Sequence, residues 1–259
     1  MARYAVFTDL DGTLLDHETY EFDAAVPLIR ALRKVGIPVF SVSSKTLAEQ
    51  QALFDALGLM DGYVGENGGV VSHQGQIHVL GPGAADIERA RQAIEKELGR
   101  TVPSFKPEHI DLVMQTTGLP RQSAMLACQR ECSNPLILEV TEQQVTQLET
   151  VIDTNRTRLV RGGRFLTLCG HADKAKAMRF LVDRHFAGAT DIKTIALGDS
   201  ANDVPMLLAA DYGILMPNSK GSGVPSTIKD QLIVANQPGP VGWTRVVIDS
   251  LGRLGVTVS

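Results

Sequence analysis

Asp9 and Asp11 stand two residues apart in Asp9-Leu-Asp-Gly-Thr13, directly after the apolar run Tyr4 to Thr8. Side chains at i and i+2 of an extended segment share a face, so the two carboxylates can converge on one substrate atom. Such a pair can divide nucleophilic and proton-transfer work. Gly12 lets the chain turn away from the strand end, and Thr13 adds a hydroxyl and a helix-start signal. Ligands of open α/β sheets bind outside the carboxyl ends of the strands, which makes this strand end a catalytic address. Three later segments repeat the arrangement. The run Ile37 to Val42 opens into Ser43-Ser44-Lys45-Thr46 and a helix-like stretch, Leu47 to Leu57. Ala172-Asp173-Lys174 begins a helical pattern that reaches His185, and Thr194 to Leu197 runs into Gly198-Asp199-Ser-Ala-Asn202-Asp203.

This set, Asp-x-Asp-Gly-Thr, then Ser, then Lys, then Gly-Asp-x-x-Asn-Asp, resembles the haloacid dehalogenase superfamily. Within it, Val42-Ser-Ser-Lys-Thr46, Glu66-Asn-Gly-Gly69, Gly162-Gly-Arg-Phe165, Ala172-Asp-Lys174 and Pro238-Gly-Pro-Val-Gly-Trp243 are similar to the mannosyl-3-phosphoglycerate phosphatase family. The similarity is scattered over nearly the whole chain and is weaker between residues 84 and 160. It implies a Rossmann-like α/β core with a parallel sheet, an inserted α+β cap of the C2B type, and hydrolysis of a small phosphorylated sugar-glycerate. That substrate is a glycosyl-3-phosphoglycerate, with mannosyl-3-phosphoglycerate to mannosylglycerate and phosphate ahead of the glucosyl analogue. A broad Cof-type sugar phosphatase and a sugar phosphomutase or phosphotransferase are the alternatives.

A carboxylate attacking a phosphate dianion meets like-charge repulsion, so the site must bring cations. Asp9, Asp11 and Asp199 offer hard oxygen ligands to one Mg²⁺; the resemblance implies that Asp11 does so through its backbone carbonyl. In this reading Asp9 is the nucleophile and Asp11 the proton carrier. Ser43 and the backbone at Ser44 hold phosphoryl oxygens at a helix start, and Lys174 supplies a fixed positive charge. Asn202 and Asp203 support the site, and Lys45 reaches the substrate. Specificity requires groups that close over these parts. Arg164, beside the Gly-Gly pair, and then Arg130 are the guanidiniums suited to bidentate capture of a glycerate carboxylate. The chain departs from the family pattern at Arg130-Glu131-Cys132-Ser133-Asn134, where an aromatic residue and an acid are expected.

The elements that position these residues divide the chain. At 259 residues two domains are expected. The outer parts of the site fall in residues 1–83 and 171–259, so 84–170 reads as the insertion, entered at Gly81-Pro-Gly83 and left near Gly170. Inside it the pattern predicts helices at 86–98, 120–132 and 142–154, a strand at 136–140, and strands 158–160 and 164–168 paired about Gly162-Gly163. Residues 63–64, 70–72 and 76–79 read as a strand and hairpin attached to the core sheet.

Composition excludes several other classes. The formal net charge is −4 and no basic stripe suggests nucleic-acid binding. No run approaches eighteen apolar residues, so no membrane span is expected, and Met1-Ala-Arg leads into a strand with no apolar leader segment. Three cysteines, Cys128, Cys132 and Cys169, form no paired framework and favour a reducing cytoplasm. Oligomeric state is not legible.

Overall fold

The computed structural model describes residues 3–161, 165–219 and 221–258. An eight-stranded sheet has the order β11-β10-β9-β1-β2-β3-β4-β5. Its strands are β1 (Arg3–Thr8), β2 (Val39–Val42), β3 (Gly62–Gly65), β4 (Val70–His73), β5 (Gln76–Val79), β9 (Ile192–Gly198), β10 (Tyr212–Leu215) and β11 (Ile233–Val234). A separate three-stranded antiparallel sheet, β6-β8-β7, contains β6 (Asn134–Leu136), β7 (Arg158–Arg161) and β8 (Leu166–Cys169). The helices are α1 (Val26–Lys34), α2 (Leu47–Phe54), α3 (Ala84–Leu98), α4 (Ile110–Thr117), α5 (Arg121–Ala127), α6 (Glu142–Glu149), α7 (Lys174–His185), α8 (Val204–Ala209), α9 (Ser226–Lys229) and α10 (Gly239–Arg253).

Strands β11, β10, β9, β1, β2 and β3 run parallel, while β4 and β5 add an antiparallel edge. Parallel strands buried on both faces lack the one-sided alternation of exposed sheets, and β1 shows why. Val6 packs with Leu28, Ile29 and Leu32 of α1 and Trp243 and Val247 of α10 on one face. Ala5 and Phe7 pack with Met178 and Leu181 of α7 and Met206 of α8 on the other. Strand β1 lies between β2 and β9, so the chain winds away from it in both directions. That topological switch point opens the crevice at the carboxyl ends of the strands.

The second sheet carries its own core. Ile87, Ala90 and Ile94 of α3 and Leu148 of α6 cover Leu136, Leu159, Leu166 and Leu168. Beside it, α4 and α5 close around Phe105, Ile110, Val113 and Ala124. Several boundaries differ from the sequence expectation. Helix α5 ends at Ala127, so Cys128 and Cys132 do not share a helix face. The strand expected at 136–140 is β6 at 134–136, where Asn134, Pro135 and Leu136 pair with Leu168, Thr167 and Leu166. The predicted 142–154 helix stops at Glu149, and α4 was not anticipated at all. Strands β7 and β8 pair as expected, with Arg161 opposite Leu166; the Gly162-Gly163 turn and Arg164 lie outside the described residues.

Helix α3 is tied to the following loop by charge. Arg91 donates to Glu88 at 2.7 and 3.1 Å, and Lys106 Nζ does so at 2.6 Å. Those bonds, Arg91's first, hold the Glu88 carboxyl at about 2, against some burial and below its ordinary 4.5. A depressed carboxyl stabilises the fold above its unfolded pKa and loses that contribution as pH falls through the folded one. NMR titration is expected to give Glu88 a midpoint near 2, and Arg91→Gln should move it upward; an unshifted wild-type midpoint would contradict the ion pair.

Candidate active site

The carboxyl ends of β1, β2 and β9 bring the sequence-predicted residues together. Thr8 is opposite Ser41 of β2 and Leu197 of β9, and the Asp9 N–H donates to the Leu197 carbonyl at 2.9 Å. Asp9 and Asp199 therefore leave adjacent strands side by side. Ligand oxygens of Asp9, Asp199 and Asp203 lie within 4.8 Å of one another, and all three residues are buried. Gly12, at φ 78°, passes so close that a Cβ there would stand 2.6 Å from Asp199 Oδ2, which explains the glycine.

Lys174 is the first residue of α7, a helix capped by Asp173, whose carboxylate accepts from the Lys176 N–H at 2.8 Å. Its side chain is 1% exposed, and Nζ donates to Asp9 Oδ1 at 2.6 Å and Asp203 Oδ1 at 2.5 Å. A solvated lysine near a helix start is thereby ruled out. Burial pulls its pKa down, but Asp203 and Asp9 outweigh that and hold the ammonium above its ordinary value. Burial, followed by Asp203, pushes Asp9 well above the carboxylate range against the pull of Lys174. Asp199 is raised for the same two leading reasons.

Asp203 is saturated. Its Oδ2 accepts from Asp199 N, Ser200 N and Ser200 Oγ at 3.0 to 3.1 Å, so it shapes the Gly198–Asp203 turn and anchors Lys174 without capping α8 by its side chain. Asp9 Oδ2 and Asp199 Oδ1 make none of these bonds. A single ammonium beside three clustered carboxylates leaves net negative charge, and a hard divalent cation relieves that repulsion. The donor set fits Mg²⁺. It does so with Asp9 and Asp199 as the available carboxylates; Asp11's carboxylate is not in the cluster.

Asp11 points elsewhere. Its Oδ2 meets Lys45 Nζ at 3.0 Å, while Oδ1 is buried with no hydrogen-bond partner. Lys45 also stands 5.5 Å over the Tyr20 ring. Burial lowers its pKa, but Asp11 leads the charges that raise it overall. Lys45 thus contacts the proposed proton carrier directly. Ser43 is buried and its Oγ accepts from the Lys45 N–H at 3.2 Å. It does not cap α2; Thr46 does, in a capping box with Glu49.

Over this turn lie the end of α5 and the residues that follow it. The Thr46 hydroxyl donates to the Leu126 carbonyl at 2.9 Å. Arg130 Nη1 donates to Ser133 Oγ at 2.8 Å and Nη2 to the Ser44 carbonyl at 3.4 Å, whereas its buried Nε has no partner. Asn202 bonds to Asn67 Oδ1 and accepts from Ser200 Oγ, so its amide links loops. Sequence reasoning assigned no role in the site to three supports, although Glu66-Asn67 and Trp243 stood in the family-like strings. Asn218 donates to Asp199 Oδ2 at 2.7 Å, Trp243 Nε1 donates to Thr8 Oγ1 at 3.0 Å beneath Asp9, and Glu66-Asn67 joins the turns. The glycines after Glu66-Asn67 were the available signal for a tight turn; nothing local marked Asn218.

The comparisons agree with this geometry. The family model for haloacid dehalogenase-like hydrolases matches residues 6–115 and 129–222. A glucosyl-3-phosphoglycerate/mannosyl-3-phosphoglycerate phosphatase of Methanococcoides burtonii is 34% identical over 97% of this chain and 98% of its own length. One of the same name from Persephonella marina is 33% identical over 93% and 95%. A haloacid dehalogenase superfamily phosphatase of Bacteroides thetaiotaomicron superposes with a TM-score of 0.71 at 18% identity, over 99% of this chain and 96% of that one. A Thermotoga maritima protein gives 0.70 at 20% identity, over 100% and 99%. The two-faced parallel sheet, the Asp9–Lys174–Asp203 triad and a family match over most of the length lead to one conclusion: the chain belongs to the haloacid dehalogenase-like hydrolases.

Proposed function

We propose that the protein is a Mg²⁺-dependent phosphatase that hydrolyses a glycosyl-3-phosphoglycerate, with glucosyl or mannosyl as the sugar, through an aspartyl-phosphate. The observation that carries the reaction type is the buried Lys174 held at once by Asp9 and Asp203 beside Asp199. The substrate reading draws support from relatives of that name at 33 and 34% identity over nearly full length.

The Asp9 carboxylate attacks phosphorus in line, forming an acyl phosphate as the bond to the glycerate oxygen breaks. Asp11 protonates that leaving oxygen, then takes a proton from the water that cleaves the acyl phosphate and releases inorganic phosphate. Ser43 and the Ser44 backbone hold phosphoryl oxygens while Lys174 keeps Asp9 oriented. Asp9, the Asp11 backbone and Asp199 would hold Mg²⁺, which would supply charge neutralisation for the phosphoryl group. Arg130 and Arg164 are assigned to the glycerate carboxylate; Arg130's unpartnered Nε favours that role. No helix among the described residues is long and apolar enough to cross a membrane, and we assign the enzyme, with its free cysteines, to the cytoplasm.

The test is phosphate release, with no sugar acceptor present, from glucosyl- and mannosyl-3-phosphoglycerate against mannose 6-phosphate. With Mg²⁺ the glycerate substrates should be favoured by about tenfold or more in kcat/KM, the scale of one charged hydrogen bond. Chelation should stop turnover and Mg²⁺ restore it. Equal turnover of all three would overturn the substrate; release only with a sugar acceptor would point to a phosphotransferase.

A further inference from the structure

Glu66 belongs to the core, immediately after β3, yet its side chain is spent on the inserted segment. The residue is held at φ 53° and Asn67 at 57°; two consecutive non-glycine residues in the left-handed region mark a backbone that its surroundings must over-determine. The Glu66 side chain is 0% exposed, and a buried carboxylate needs donors. Among the described residues its donors all come from across the seam. The Glu131 N–H bonds to Oε1 at 2.7 Å, and the Cys132 N–H and Ser133 hydroxyl bond to Oε2 at 3.2 and 2.5 Å. Arg130 Nη1 stands 3.9 Å away.

The backbone of the same dipeptide is tied to the Ser43–Lys45 turn. Glu66 N–H donates to the Lys45 carbonyl at 3.0 Å and Asn67 N–H to the Ser43 carbonyl at 2.9 Å. One short stretch therefore connects the Ser43–Lys45 turn with residues 130–133. Cys132 completes the seat: a Cβ on Gly69 would lie 2.2 Å from its Sγ, and one on Gly81 3.0 Å from its Cβ. Gly81 is part of the passage between the two sheets, where Gly170 also packs against Pro82. The contact thus sits at the pivot of the insertion.

We propose that Glu66 is a positioning residue that clasps the cap to the core at this pivot and, through the Arg130–Ser133 strip, sets where Arg130 stands over the Ser43–Lys45 turn. It acts on selectivity for substrates whose leaving group carries an anion within reach of Arg130. The selectivity arm rests on the proposed function; the clasp does not.

Glu66→Gln keeps the volume but turns one acceptor oxygen into a donor, so the three donors can no longer all be accepted. In the full-length protein, amide exchange at Glu131 and Cys132 should accelerate about tenfold or more, with β1 and α7 amides unchanged. Selectivity for glucosyl-3-phosphoglycerate over p-nitrophenyl phosphate should fall by a similar factor, through KM more than kcat. In an Arg130→Ala background, Glu66→Gln should add little further loss. Unchanged exchange at 131–132 overturns the clasp. Equal slowing of both substrates, or effects that multiply with Arg130→Ala, overturns its action through Arg130. If wild type shows no preference for the glycerate substrate, the functional reading fails while the exchange experiment still decides the clasp. Glu66→Asp provides the same readouts should the glutamine variant fail to fold.

Discussion

Asp9→Asn is expected to reduce kcat by more than about 10⁴-fold, the scale seen when a covalent nucleophile is removed, while Asp11→Asn should cost about 10²- to 10⁴-fold, the scale of general acid-base catalysis. The difference follows from where each side chain sits. Asp9 is 6% exposed, bonded to Lys174 at 2.6 Å and within the carboxylate cluster; asparagine there is a poor nucleophile and reverses one end of the hydrogen-bonded array. Asp11 faces Lys45 outside the carboxylate cluster, and the proposed mechanism gives it the leaving oxygen and not phosphorus. Single-turnover measurements separate the roles: Asp11→Asn should still accumulate aspartyl-phosphate from a substrate with a good leaving group, and Asp9→Asn should accumulate none. Similar, near-native rates for the two variants would refute the assignment.

The site was legible because its parts follow strand ends. Asp9, Ser43 and Asp199 each succeed a short apolar run, and parallel pairing of β1 with β2 and β9 carries them to one edge. Lys174 was placed by its neighbours Ala172-Asp173; its burial was not legible, since nothing local distinguishes a lysine gripped by two distant carboxylates from one in solvent. Residues 84–170 were read less well. A helical pattern continuing to Cys132 was broken after Ala127 because residues 131–133 are drawn to Glu66, a partner more than sixty positions away. Strand β6 begins two residues before the expected strand and includes Pro135; β6 is an edge strand, where a missing N–H is tolerated. In these places tertiary contacts outweighed local propensity. The partners of Glu66 and Asn218 are distant in sequence, so their roles emerge only from the folded chain.

Lys174→Met should destabilise the protein by about 3 to 5 kcal/mol, the usual cost of removing one partner from a buried ion pair, and should remove phosphatase activity as well. The methionine fills similar space, so the loss is electrostatic. Asp9 and Asp203 would be left facing one another and Asp199 with no ammonium between them, and burial with Asp203 already pushes Asp9 toward protonation in the intact protein. Two further measurements separate charge from packing. Asp203→Asn in the Lys174→Met background should recover part of the lost stability in denaturant titrations, since it removes one uncompensated charge, yet recover no turnover, because Asp9 still lacks its orienting cation. Added Mg²⁺ should narrow the stability gap between Lys174→Met and wild type, since a cation that binds only the folded carboxylate cluster stabilises it by mass action, more so where no ammonium competes for the same charges. A Lys174→Met protein of wild-type stability, or one indifferent to both Asp203→Asn and Mg²⁺, would mean that the buried lysine is held by packing and not by the carboxylates around it.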